Sequence, residues 1–150
     1  MLSSIFPQRL KDLMQFEGKT EYALTKNTGL SFHSVSDWVK GLHYPDAKAL
    51  LILADYFKIS VDYLLGLDDV FVCVEKNSPT IEKAQKSLIG RLRAYKERKG
   101  ISHWRLAKYL KVGQSTEKRW FEQGAMPETA ILIRISQLLE ESLDDLLGRK

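Results

Sequence analysis

Ser60-Val61-Asp62-Tyr63-Leu64-Leu65-Gly66 returns, 82 residues later, as Ser142-Leu143-Asp144-Asp145-Leu146-Leu147-Gly148. The same offset aligns residues 6–66 with 88–148 without a gap. It matches Arg9 with Arg91, Leu10 with Leu92, Gly18 with Gly100, Leu24 with Leu106, Lys26 with Lys108, Trp38 with Trp120 and Pro45 with Pro127. Chance does not easily hold Trp, Pro and a terminal Asp-x-Leu-Leu-Gly at one offset, so an internal repeat organises the chain. Residues 1–67 are read as one copy, 68–79 as a linker and 80–150 as the second copy. Each copy has about 60 residues, near the lower size at which an all-helical domain folds unaided.

Within a copy the apolar period is helical. Leu10, Leu13 and Met14, then Leu24, then Leu50, Leu53, Ala54 and Phe57 fall at three- and four-residue spacings. Leu88, Leu92, Tyr95, Leu106, Leu110, Leu132, Ile135 and Leu139 repeat the pattern. Gly18 and Gly100 are C-cap types, Thr20 and Ser102 are N-cap types, and Ser60 and Ser142 are placed to cap a short fifth helix. Pro45 and Pro127 stop the chain before the fourth. Helices two and three are joined through Thr28-Gly29-Leu30, where glycine takes positive φ without strain, and helix three is expected from about Ser31 to Lys40. After Pro79, Thr80 is placed to begin a longer helix through Ile81, Ala84, Leu88 and Leu92.

Composition narrows the class. The chain has 150 residues, 44% hydrophobic and 28% charged, with four Pro and nine Gly, which excludes disordered, collagen-like and low-complexity chains. No apolar run approaches the roughly 20 residues that span a bilayer, and the apolar stretch within residues 1–6 is too short for a signal peptide. The single Cys73 forms neither an intrachain disulfide nor a zinc site, so a soluble protein of the reducing cytoplasm is expected. Net charge is +4, unevenly spread: −2 over residues 1–69, +1 over 70–87 and +5 over 88–150. A basic second half suits a polyanionic partner, although such an excess also occurs on plain solvated surfaces.

Two helices joined by a short glycine turn inside a five-helix bundle form a helix-turn-helix, and here both copies resemble the Cro and phage-repressor family, of lambda-repressor-like, xenobiotic-response-element type. The first carries Thr25, Gly29 and Val35, then Trp38, Gly41 and Pro45, and ends Val61-Asp62-Tyr63-Leu64-Leu65-Gly66. The second carries Ile101-Ser102, Leu106-Ala107, Val112, Gln114-Ser115-Thr116, Trp120, Pro127 and its own Leu-Leu-Gly ending. Together they cover roughly four fifths of the chain. The expected fold is therefore all-α: two tandem five-helix helix-turn-helix domains joined by a linker. The second copy departs from the pattern in two places. Lys111 stands where the turn glycine should be, and Glu117 where an aliphatic residue packs under helix two. A buried unpaired carboxylate costs several kcal/mol, so either Glu117 reaches a cation such as Lys108 or Lys96, or helix three tilts and Phe121 takes part of the core role.

The resemblance implies that the first turns of helix three enter the major groove of double-stranded DNA. In the first copy the exposed residues there are Ser31, Phe32, His33, Ser34, Ser36 and Asp37, with Lys40 at the end of the helix. In the second they are Gly113, Gln114, Ser115, Thr116, Lys118 and Arg119. Gln pairs bidentately with adenine, Arg with guanine, and Lys118 suits a phosphate, so the second copy is the better reader. Arg91, Arg93, Lys96, Arg98 and Lys99 form a basic run that either follows the DNA backbone or is a solvated face. Trp38, Trp104 and Trp120 are read as core or rim residues rather than base-stacking platforms.

Nothing points to catalysis. His33, His43 and His103 lack metal-ligand spacing, no phosphate-binding glycine loop occurs, and no cofactor or small-molecule substrate is indicated. In the linker, Val70, Phe71, Val72, Cys73 and Val74 form a β-prone run read as a short strand. A strand without a ladder partner either packs as extended chain on a neighbouring domain or pairs with the same segment of a second molecule, making a homodimer. The functional reading is a sequence-specific DNA-binding transcriptional regulator, repressor-like and not an enzyme. The alternative is a protein-interaction module in which one or both copies keep the fold without contacting DNA.

Overall fold

The computed structural model describes residues 5–150, all of whose regular structure is helical. The chain divides into two compact units, one ending at Lys76 and the other running from Asn77 to Lys150. The first contains α1 (Ile5–Phe16), α2 (Glu21–Thr28), α3 (Phe32–Lys40), α4 (Ala47–Phe57) and α5 (Val61–Leu64). The second contains α6 (Ile81–Lys99), α7 (His103–Tyr109), α8 (Gln114–Gln123), α9 (Thr129–Leu139) and α10 (Leu143–Leu146).

Short helices need their ends satisfied, and side chains do most of that work here. Thr20, Ser31, Asp46 and Ser60 accept from the backbone N–H of Ala23, Ser34, Ala49 and Tyr63 in the first unit. Thr80, Ser102 and Ser142 accept from Lys83, Arg105 and Asp145 in the second. The C-terminal caps include residues that composition would not have suggested. Lys58 (φ 55°) and Glu140 (φ 54°) end α4 and α9 in the left-handed region, and Lys111 (φ 58°) does the same in the turn before α8. By contrast, Gly66 (φ 80°) must be glycine, because a Cβ there would lie 2.1 Å from Cγ2 of Ile5.

The core of the first unit is built from one face of each helix: Phe6 and Leu10 of α1, Leu24 of α2, Val35 and Trp38 of α3, Leu50 and Leu53 of α4 and Leu64 of α5 are all buried. Leu88 and Leu92, Leu106, Trp120, Leu132 and Ile135, and Leu146 do the same in the second. Gln85 adds a polar tie there: its amide donates to the carbonyls of Trp120 (2.7 Å) and Ala125 (3.2 Å), holding the end of α8 against α6. The chain closes on a buried ion pair, in which Nη1 of Arg149 donates to both carboxylate oxygens of Asp144 at 3.1 and 3.2 Å.

The expected strand at residues 70–74 is not present. The segment runs as irregular chain, since no second strand lies beside it to complete a ladder. Phe71 packs on its own unit, its ring edge-on to Tyr63 (centroids 5.4 Å apart) and to Phe16 (5.9 Å), and the Val74 N–H donates to the carbonyl of Lys58 at 2.8 Å. Val70, Val72 and Cys73 stay exposed.

Breaking a buried ion pair by removing one partner leaves the other charge less well compensated. Arg149→Ala is therefore expected to lower the unfolding free energy of the second unit by about 3–5 kcal/mol, read by urea denaturation of the full chain.

Candidate nucleic-acid interface

Helix α8 sorts its residues by period. Glu117 and Trp120 are buried, Thr116 and Phe121 half-buried, and Gln114, Ser115, Lys118 and Arg119 exposed. The buried pair falls at a three-residue spacing, so the polar residues between are turned outward. Arg119 leans back along its own helix, Nη2 lying 3.5 Å from Oγ1 of Thr116, and Lys118 Nζ sits 3.8 Å from Oε2 of Glu122. Both pairs are exposed and weak enough to yield to a stronger anion.

The question of Glu117 is decided by a residue the sequence reading did not name for it. Its side chain is 3% exposed, and its Oε2 lies 2.7 Å from Nδ1 of His103, in the first turn of α7. Neither Lys108 nor Lys96 is its partner: Lys108 lies over the Trp104 ring, its Nζ 5.1 Å from the centroid. With the Glu117 carboxylate as acceptor, the imidazole Nδ1–H donates. Phe121, one turn beyond Glu117, meets the same imidazole edge-on with centroids 4.7 Å apart, and the Arg93 guanidinium lies over the Phe121 ring, 5.5 Å from its centroid. These side chains, with Trp104, Gln114, Lys118 and Glu122, line a cavity of about 410 Å³ between α6, α7 and α8. The spacing of Glu117 and Phe121 at i and i+4 was readable; a histidine fourteen positions upstream carried no sequence signal.

The basic run of α6 is divided among separate tasks. Arg91 pairs with Glu141, Arg93 covers Phe121, and Arg98 lies 5.7 Å from the Tyr95 ring centre, while Lys99 is exposed. Trp38 and Trp120 are buried, whereas Trp104 is half exposed at the cavity rim.

Helix α3 presents a different face. The Ser31 hydroxyl is occupied at the cap, accepting from Ser34 N and donating to Ser34 Oγ at 2.8 Å. Phe32, His33 and Lys40 are exposed, and Ser34 and Ser36 half-buried. Asp37 lies between two imidazoles, 3.3 Å from Nε2 of His33 and 3.2 Å from Nε2 of His43. At the 82-residue offset Asp37 stands where α8 carries Arg119, and Ser36 where it carries Lys118. Among the described residues no group of three His, Cys, Asp or Glu is placed to hold a metal ion, and no helix is long and apolar enough to cross a membrane.

No protein-family model matches the chain, and no solved structure matches it significantly. Over 63 residues, 42% of its length, the chain is 32% identical to the HTH-type transcriptional regulator ImmR of Bacillus subtilis (strain 168). The match spans half of that relative.

A hydrogen bond to a charged group contributes about 1.5–3 kcal/mol. His103→Ala, which leaves Glu117 without a donor, is expected to destabilise the second unit by that amount. Adding Glu117→Leu should recover most of the loss, the coupling being read from a double-mutant cycle of thermal melts.

Proposed function

We propose that the protein is a DNA-binding transcriptional regulator with two helix-turn-helix units in one chain, and that the second unit reads sequence. The observation that carries this reading is the surface of α8, on which Gln114, Lys118 and Arg119 are all exposed while Glu117 and Trp120 are buried. An exposed amide, an ammonium and a guanidinium on one short helix supply an adenine reader, a phosphate contact and a guanine reader. The +5 charge of residues 88–150 adds the sequence-independent attraction that DNA binding requires. The partial likeness to a transcriptional regulator supports the same class and gives no support to catalysis. A regulator of this kind works in the cytoplasm, on the chromosome.

One observation favours a second reading for the first unit. Asp37 stands on α3 with two histidines about it, and residues 1–69 carry a net charge of −2. A carboxylate directed at a groove lined with phosphates is repelled, so this unit suits a protein partner better than DNA.

Random-pool selection of duplex DNA on the full chain tests the proposal, and an enriched sequence is expected. On that sequence, Arg119→Ala should cost about 1–3 kcal/mol at one guanine and relax preference there alone. Lys118→Ala should weaken binding to all duplexes alike and flatten the slope of log K against log salt by about 0.9. If neither substitution changes affinity at low salt in a folded chain, the interaction module is the better account.

A further inference from the structure

The reading helix α8 has two polar ties to its own unit besides its packing. At its C-terminal end, Gln85 donates to the carbonyls of Trp120 and Ala125. Nearer its N-terminal end, between the proposed readers Gln114 and Lys118, His103 donates to Glu117. The imidazole is in turn met by Phe121, so one residue of α7 grips two successive turns of α8. In the first unit the repeat puts Val35, fully buried, at the position of Glu117 and Glu21 at that of His103. An apolar contact at that point is non-directional and lets a helix roll a little against its neighbour. A hydrogen bond at 2.7 Å does not, because its energy falls steeply with angle.

We propose that the His103–Glu117 hydrogen bond is the positioning contact of the reading helix: it sets the rotation of α8 about its axis, and so which base edges Gln114 and Arg119 meet. The inference rests on the reading of α8 as a sequence reader. Bidentate recognition tolerates errors of about 0.5 Å and 10–20° in the placement of a side chain, so a small roll of α8 takes Arg119 off a guanine edge without removing Lys118 from the phosphates. Glu117 touches no base. Its burial against α7 makes it a determinant of specificity through the exposed residues of the same helix. Glu117 is buried while His103 is exposed; the best-attested use of a buried polar group is the fixing of register rather than the raising of stability, and that is the role the geometry gives Glu117.

The test uses the full chain, the duplex enriched by selection and an unrelated duplex of equal length. Glu117→Val, which restores the kind of residue the first unit has here, is expected to stay folded by circular dichroism. It should keep its affinity for the unrelated duplex and its salt dependence. The ratio of affinities between the two duplexes should fall at least about fivefold, the lower end of what one bidentate contact discriminates. Glu117→Gln, whose amide oxygen still accepts from the imidazole, should keep a ratio close to that of the unaltered chain. Should Glu117→Val not fold, Glu117→Val combined with His103→Leu leaves no unpaired polar group in the cavity and carries the same comparison. An unchanged ratio in the folded apolar variant, or an equal loss for both duplexes, overturns the positioning role while leaving α8 a reader. An unaltered chain that prefers no sequence overturns the reading itself, and this inference with it.

Discussion

Helices of four to nineteen residues have little stability in water by themselves, and every element among the described residues is of that kind. What holds them is the burial of one face of each against the others, and the rest of the structure depends on that constraint. It requires caps at nearly every end, because a helix of eight residues has as many unsatisfied backbone groups as one of thirty. It requires sharp turns, which Gly66 supplies by having no side chain and which Lys58, Lys111 and Glu140 supply at some cost in backbone strain. It also leaves each short helix with a free outer face, where polar side chains are held at fixed spacing on a packed base. That outer face of α8 is where Gln114, Lys118 and Arg119 gather.

Five short helices in each unit carry two surfaces of different chemistry. On α3, Asp37 draws two histidines to itself and the cap consumes the Ser31 hydroxyl, so little remains directed outward except Phe32, His33 and Lys40. On α8, the one carboxylate of the first turn is turned inward to His103, and the exposed positions from 114 to 119 are an amide, a hydroxyl and two cations. The internal pairing of Glu117 therefore has an external consequence: a carboxylate that would face an anionic partner is turned away from the surface and hydrogen-bonded within the unit. The cations of α6 show the reverse, since Arg91, Arg93 and Arg98 are largely engaged with a carboxylate or with aromatic rings. A count of charges along the chain overstates how many of them are free.

What the amino-acid sequence determined by itself is considerable, and the reasons are local. Apolar spacing marks the helices, because burial of one face needs the 3.6-residue period whatever the neighbours are. Thr20, Ser60, Thr80, Ser102 and Ser142 mark their starts, because a cap bonds only to residues two or three positions on. The exposed face of α8 was legible for the same reason. The tertiary structure alone decided the rest. The β-prone run at residues 70–74 has strand propensity, but a strand exists only with a partner at ladder distance, and what lies beside Phe71 is the pair of rings of Phe16 and Tyr63. Glu117 was legible as an anomaly, and lysines were the natural candidates on charge. Its partner is His103 because the crossing of α7 and α8 brings those two side chains within 2.7 Å, and a crossing is a property of packed helices that no periodicity in one chain segment encodes.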